Sequence, residues 1–427
     1  MRILFAPHHT GNLPLEGQKI PLVMSSRRPA VAPSISKLIQ NEFRLTTANT
    51  GNLVHNEAPS DILQCSDRDS VRVNLGAFMN CHARKVGMDQ AVDDLAANFD
   101  AIVISMANDL RTGISGDYYS FLATLLQRSP VPVHILGLGL QSEKLKKDEL
   151  KPEIAEFIQA CNEYASTFGV RCEITERWLH HQGYTNAKAL GCPSMFRSPL
   201  GVLHSAQSRF KSPFSTLSAG YLNLQPRHKK LEAILSRLQP FKSAYIFQND
   251  LVALAKDSPL SERLGAYNYW TSSLDSNIIS MMYHQIYGRL PIFSEFRVFT
   301  DVRAWISYSS LFSIFIGDRL HGCIAALTAG TPGVLLYQDS RVKGLAEFFC
   351  IPSVDITSPE CTDEAVEMVM AVKAGGMATD FLSNYVKRIK AFKEHLDQAN
   401  LSFNSRTQAE YDQLLSSHEN SGIAAPT

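Results

Sequence analysis

An α/β fold of two Rossmann-like, doubly wound domains facing a cleft is what this sequence predicts, and three observations predict it. The chain of 427 residues exceeds what one ordinary core fills and suits two domains of roughly 200 residues each. Apolar runs that end in Gly or polar loops alternate with segments of helical spacing, as strands and crossover helices do in a parallel sheet. That alternation lapses once, from about residue 197, and then restarts. We therefore expect an N-terminal domain over residues 1–200, a C-terminal domain over 201–417 and a flexible tail over 418–427.

The elements follow in order. "MRILFA" reads as the first strand, since it lacks the longer apolar core and small-residue cleavage site of a signal peptide. "AIVISM" (101–106) and "VPVHILGLGL" (131–140) read as further strands, with the helical stretches "MDQAVDDLAANF" and "YYSFLATLLQRS" between and around them. In "KKDELKPEIAEFIQACNEYAS" the apolar Ile154, Phe157, Ile158 and Cys161 form one helical stripe. "TFGVRCEITERWLHHQGY" reads as a strand leading through a turn into a helix. "RSPLGVLHSAQSRFKSPFSTLS" loses periodicity and gains Ser, Pro and Gly, which assigns it as the inter-domain linker. The second half restarts with "AGYLNLQ" and "SAYIFQND" and reaches the clearest βαβ unit, "LFSIFIGDRLHGCIAALTAGTPGVLLYQ". Here "SSLFSIFIG" is a buried strand, "HGCIAALTA" the helix, Gly330-Thr331-Pro332 its stop and "GVLLYQ" the next strand. "HENSGIAAPT" has the composition of a frayed end.

Composition narrows the function. Hydrophobic residues make up 45% and charged residues 19%, as in soluble globular proteins, and 41 Lys plus Arg balance 41 Asp plus Glu. A net charge of zero argues against nucleic acid as a partner, because binding to the phosphate backbone needs a basic excess. The eight cysteines show no C-x-x-C pair and fit a reduced, intracellular setting. No apolar segment approaches the roughly 20 residues that span a bilayer. We expect a cytoplasmic protein, with peripheral attachment at the inner face of a membrane and homo-oligomerisation both left open. His8-His9 and His180-His181 are adjacent in sequence rather than at the i, i+4 spacing of a helical metal site, and no H-E-x-x-H, Walker A or G-x-S-x-G string is present. Neither a structural metal nor serine-hydrolase chemistry is expected. "GLGLQS" lacks the third Gly of a dinucleotide fingerprint.

Candidate chemistry concentrates at strand ends. In an open parallel sheet, ligands gather at the carboxyl ends of strands, where helix N-termini point. Arg319 and His321, in the turn "GDRLHGC", occupy such a position and make it attractive to phosphate or carboxylate. Lys343 follows the next strand and could reach the same rim, with Arg341 its competitor for that role. The alternative is that Arg319 pairs with Asp318 or a distant carboxylate and His321 merely caps the helix. Arg171 is placed similarly in the first half, although it and Arg177 could instead pair with Glu173 and Glu176 on the surface. In "TANTGNLVHNEA" an Asn-Thr-Gly-Asn turn containing Asn52 precedes His55 and Glu57, groups suited to sugar hydroxyls, though such strings are often plain loops.

These residues carry a family resemblance. "DVRAWISYSSLFSIFIGDRLHGCIAALTAGTPGVLLYQDSRVKGLAEFF" resembles the C-terminal signature of polysaccharide pyruvyl transferases, with its Arg-Leu-His-Gly turn, small-residue helix, Gly-x-Pro stop and downstream Lys-Gly-Leu. "NTGNLVHNEA" is similar to the family's Asn-x-Gly-Asn/Asp loop. "FGVRCEITERWLHHQGYTNAKALGCPSMF" is similar to its Val-Arg-Asp-x-x-Ser/Thr segment followed by Gly-x-Asp-Pro. Matches run in order from about residue 47 to residue 349. The chain departs from the pattern at Met106, Ala107 and Asn108, where a Gly-Gly-Gly stretch is usual, and at Cys172 and Cys192, where the family carries Asp.

The resemblance implies a GT-B-like architecture and a pyruvyl (ketal) transferase. Such an enzyme moves the enolpyruvyl group of phosphoenolpyruvate onto a sugar of a polysaccharide or its carrier-linked precursor, with no cofactor beyond that donor substrate. It also implies that Arg171, Arg319, His321 and Lys343 hold the donor, with Leu320 lining the turn by its backbone. His321 is then the candidate general acid or phosphate contact, and Asn52, His55, Glu57 and Asp109 are candidates on the acceptor side, Glu57 as a catalytic group. Two alternatives stand beside it. One is a glycosyltransferase with a nucleotide-sugar donor, its ribose held by Glu295 or Glu347. The other is a non-catalytic homologue that binds an anion or glycan.

Overall fold

The strands β3 (Ala101–Ser105) and β4 (Val133–Leu138) are buried at every position, as expected of central parallel strands covered by helices on both faces. The computed structural model describes residues 1–7, 34–39, 49–66, 71–113, 116–220, 227–256, 258–377 and 379–420. The first sheet is wholly parallel, in the order β2 (Val71–Arg72), β1 (Ile3–Pro7), β3, β4, β5 (Thr167–Val170), β6 (Lys188–Ala189). Sequence order reverses at β1, so the topological switch point lies between β1 and β3. The expected helices are present as Met88–Asn98, Asp117–Arg128, Pro152–Tyr164 and Glu173–His181. Pro152 opens the third of these at the first helical position, where its missing N–H costs nothing.

The second sheet has six parallel strands in the order β14 (Ser353–Asp355), β13 (Gly333–Tyr337), β12 (Ile314–Gly317), β7 (Ser215–Ser218), β8 (Lys242–Ile246), β11 (Glu295–Arg297). An antiparallel edge of β10 (Ser273–Leu274) and β9 (Tyr267–Asn268) extends it. The switch point here lies between β7 and β12. The α/β fold of two doubly wound, GT-B-like halves is thus the one observed.

Three local expectations are corrected. The presumed linker is structured: Ser198 caps a helix, Pro199–Gln207, by accepting from the Gly201 N–H, and Val202 and Leu203 are buried in it. Its Ser, Pro and Gly are cap and close-contact residues rather than loop residues. The first strand of the second half begins before "AGYLNLQ", at Ser215–Ser218 at the end of that supposed linker; residues 221–225 of "AGYLNLQ" lie outside those described. The last helix, Ser405–Asn420, includes residues 418–420 of the expected tail, and 421–427 lie outside the described residues.

The C-terminal segment crosses back to the first half. From the helix Thr379–Gln398, Tyr385 donates to the Met195 carbonyl at 2.9 Å and Arg388 pairs with Glu173 at 2.6 Å. Phe196, Phe349 and Phe392 meet there, with Phe196 stacked on Phe392 at 4.4 Å. Gln64 N–H donates to the Ser402 carbonyl and Asn404 to that of Asp61. One apolar cluster therefore runs across both halves. Among the described residues no helix is long and apolar enough to cross a membrane.

One core residue predicts a pH dependence. His134 on β4 is fully buried, its Nδ1 3.0 Å from Thr167 Oγ1, and burial, with His395 adding to it, pulls its pKa from 6.5 to about 4. The unfolded chain takes up a proton below pH 6.5 that the folded chain refuses until about pH 4. Stability from this residue is therefore complete above 6.5 and falls by about 3 kcal/mol on acidification through that window. Urea midpoints at pH 7 and 4.5 measure the fall, and His134→Gln should flatten it. An equal slope in the variant would refute the assignment.

Candidate functional site

The carboxyl ends of β7, β8 and β12 set the second-half side of a seam. Beyond β12 the chain turns through Asp318 and Arg319 into the helix Leu320–Thr328, so Arg319 and His321 stand at a helix N-terminus beside the switch point. Leu320, at 8% exposure, is buried as the first helical residue. Beyond β8, "QND" places Gln248, Asn249 and Asp250 beside them. Arg319 Nη2 donates to Asn249 Oδ1 at 2.5 Å. Asp250 is buried, accepts from the Gln248 N–H at 2.7 Å and meets the Tyr245 hydroxyl at 2.5 Å. Burial pushes its carboxyl above the usual range, while Arg319 pulls the other way.

The first half meets this side through the helix Gly51–Ile62. Its N-terminus docks on the end of β8, where the Thr50 hydroxyl donates to the Phe247 carbonyl at 3.5 Å. A Cβ on Gly51 would overlap Gln248 Oε1, so glycine permits the approach. Asn52 lies in the same turn, its N–H bonded to the Asn49 carbonyl. One turn on, the buried His55 ring stacks on His321 with centroids 4.8 Å apart and planes 27° apart. The acceptor-side and donor-side histidines of the sequence reading are therefore in contact. Cys192, fully buried after β6, lies with Sγ 3.9 Å from His321 Nε2 and 2.9 Å from Ser194 Oγ.

Arg171 follows β5 and is held rigidly. Its guanidinium donates to the carbonyls of Gly137 at 2.8 Å and Met106 at 3.4 Å, and to Asn108 Oδ1 at 3.2 Å, with only 4% of the residue exposed. Asp109 shapes the same loop, accepting from the Ala107 N–H at 2.8 Å and the Tyr119 hydroxyl at 3.1 Å. Asp109 thus lies at the carboxyl end of β3, beside the switch point of the first sheet, and the Arg171 guanidinium reaches the same loop from β5. His321 feels the assembled charge. Burial pushes its pKa well below the usual histidine value, and the guanidiniums of Arg171, Arg341 and Arg319 push it further the same way. Both effects favour the neutral imidazole, whereas the sequence reading made His321 a candidate general acid.

Two candidates sit elsewhere. Positions 55 and 57 of one helix point about 200° apart, so with His55 on the seam Glu57 faces away. Its carboxylate pairs with Arg197 at 3.5 Å and Arg72 at 3.6 Å, near Asp61, which also binds Arg197. Burial raises the Glu57 pKa against both arginines. The same geometry separates Arg341 from Lys343 on the helix Ser340–Phe349: Lys343 pairs with Glu347 at 3.6 Å on the surface, 48% exposed, whereas Arg341 is the one whose charge reaches His321. Arg177 is exposed, and Glu295 is tied to Lys242 and Tyr308, at 2.9 and 2.8 Å, away from the seam.

Gln248, Asn249, Asp250, Cys192 and Ser194 belong to the seam and were not among the candidates. "SAYIFQND" carried the signal, since a polar triplet closing a buried strand falls where ligands gather. Among the described residues no group of three or more His, Cys, Asp or Glu is placed to hold a metal ion.

Comparisons with known proteins follow from this geometry. A family model described as polysaccharide pyruvyl transferase matches residues 21–340. No curated protein matches the chain. Among solved structures, UDP-GlcNAc 2-epimerase from Methanocaldococcus jannaschii is similar at 12% identity and a TM-score of 0.41, over 75% of this chain and 85% of that one. The Neisseria meningitidis UDP-GlcNAc 2-epimerase bound to UDP-GlcNAc gives 10% and 0.40, over 79% and 82%.

Proposed function

The chain belongs to the polysaccharide pyruvyl transferase family, and from that premise we propose that it transfers the enolpyruvyl group of phosphoenolpyruvate to a sugar diol of a glycan or its precursor as a cyclic ketal. The observation that carries this reading is the geometry of the seam: Arg171 and Arg341, from opposite halves, line one pocket, and Arg319 stands with the half-buried His321 at a helix N-terminus, where all three guanidiniums oppose protonation of the imidazole. A pocket so positive suits a small ligand carrying carboxylate and phosphate together, which Arg forks and a helix N-terminus bind bidentately.

The reaction balances without a cofactor. A proton adds to the methylene carbon of the donor as one acceptor hydroxyl attacks C2 and loses its own proton. Phosphate then leaves C2, and the second hydroxyl closes the ring as its proton passes to the departing phosphate. The incoming donor's negative charge offsets the arginines and raises the proton affinity of His321, so the imidazole takes up a proton as the donor binds and delivers it to the methylene carbon. Arg319 stabilises charge on the donor throughout. His55 and Asn52 face the acceptor hydroxyls.

Two measurements test this. Phosphoenolpyruvate should raise the melting temperature while nucleoside diphosphates leave it unchanged, and phosphate should be released from phosphoenolpyruvate only when a suitable glycan acceptor is present. Stabilisation by a nucleoside diphosphate instead would favour a nucleotide-sugar donor. Donor binding without phosphate release across a broad acceptor panel would favour a non-catalytic homologue.

A further inference from the structure

A pocket between the two halves is lined by Asn108, Glu143, Arg171, Thr175, Ser340 and Arg341 among its polar residues. We propose that it is the phosphate subsite of the donor, and that Arg341, rather than Lys343, is the second-half cation that closes on the phosphate. The inference rests on the donor reading above and goes beyond it by assigning which anionic group lies where.

Two like charges share this pocket with Glu143, and each also feels a carboxylate outside its lining, Asp109 for Arg171 and Asp339 for Arg341. Arg171 is bound by two carbonyls and an amide oxygen, none of them charged. Arg341 is bound to Asp339, two residues back, at 3.4 and 3.2 Å. Glu143 lies at the rim and is exposed. Arg171 and Arg341 oppose each other electrostatically, each adding to the positive potential on His321. An anion seated between them removes that repulsion.

The surroundings suit phosphate. The helices Glu173–His181 and Ser340–Phe349 both begin at the pocket; the Asp339 carboxylate caps the second by accepting from the Val342 N–H, whereas the first has no side-chain cap, so its first N–H groups are the ones open to an anion. The Thr175 and Ser340 hydroxyls add donors. Phosphate is also the leaving group, on which charge builds in the transition state, so the densest positive field belongs there. The carboxylate of the donor then falls to Arg319 at the start of the helix Leu320–Thr328.

Arg341 is the freer of the two cations: its side chain is 30% exposed and tied only to a neighbour at its own helix start, whereas Arg171 is anchored to the Gly137 carbonyl and nearly fully buried. Since Arg171 and Arg341 come from different halves, a phosphate between them also draws the halves together.

Thermal shifts with inorganic phosphate and with phosphoenolpyruvate, on the wild type, Arg341→Ala, Lys343→Ala and Arg319→Ala, test the assignment. The wild type should be stabilised by both ligands. Arg341→Ala should lose the phosphate shift and weaken phosphoenolpyruvate at least tenfold, Lys343→Ala should keep both shifts, and Arg319→Ala should keep the phosphate shift while losing the extra stabilisation by phosphoenolpyruvate. Arg341→Lys, which keeps charge but not the fork, should recover part of the loss. A full phosphate shift in Arg341→Ala, its loss in Lys343→Ala, or no phosphate shift in the wild type overturns the subsite. Stabilisation of wild type and Arg341→Ala alike by phosphoenolpyruvate leaves the donor reading standing and removes this one; a phosphate shift that needs Arg341, without any response to phosphoenolpyruvate, does the reverse.

Discussion

Arg319→Ala should lower kcat/KM for phosphoenolpyruvate by about 10²–10³-fold, equivalent to about 3–4 kcal/mol of transition-state stabilisation. The residue combines a permanent charge, a place at the N-terminus of the Leu320–Thr328 helix and an anchor on Asn249 at 2.5 Å. Removing it deletes the donor's charge partner and also leaves Asp250, buried and partly held by that charge, with less reason to ionise. The fold should survive, since the backbone turn is held by the Arg319 N–H to the Ala219 carbonyl, which the substitution keeps. Steady-state phosphate release, with circular dichroism as the control, measures the effect. A loss below tenfold in a folded variant would remove Arg319 from the donor site.

Gly201→Ala should be among the most damaging conservative changes in the chain, costing about 3 kcal/mol or more. A Cβ there would overlap the Thr328 carbonyl oxygen and lie 2.6 Å from its carbon. That obstacle is backbone at the end of the Leu320–Thr328 helix, so no side chain can rotate out of the way. The helices Pro199–Gln207 and Leu320–Thr328 must part, and the second carries Arg319 and His321 at its other end. We expect a lower urea midpoint with little change in slope, together with weaker donor binding, although position 201 touches no ligand. An unchanged midpoint would show that the two helices pack less closely than described.

How far the sequence was legible depended on what each signal measured. Strands such as "AIVIS" and helices such as Pro152–Tyr164 were readable because burial imposes a period that composition preserves. The helix Pro199–Gln207 was not, because its Pro, Ser and Gly serve as cap, first-turn residue and contact point, and read locally as loop. Arg319, His321 and Arg171 were singled out because strand ends are predictable positions, and His55 because of the Asn-Gly turn before it; the seam places His55 against His321. Glu57 and Lys343 show the limit: each lies two residues from a seam residue, and two residues on a helix turn a side chain to another face. Gln248 and Asn249 close a buried strand, a local signal that was passed over, whereas Cys192 reaches the site through its approach to His321, which no local window contains.

The backbone passes between the halves twice, near residue 198 and again through the final helices, and the two passages are stapled together: Ser198 Oγ and the Leu200 N–H both donate to Glu410, and Arg406 donates to the Arg197 carbonyl. Paired tethers act as the pin of a clamshell, leaving rotation about one axis as the easy motion and resisting twist and slide. Any opening of the jaws would then follow one arc and leave residues contributed by opposite shells in alignment.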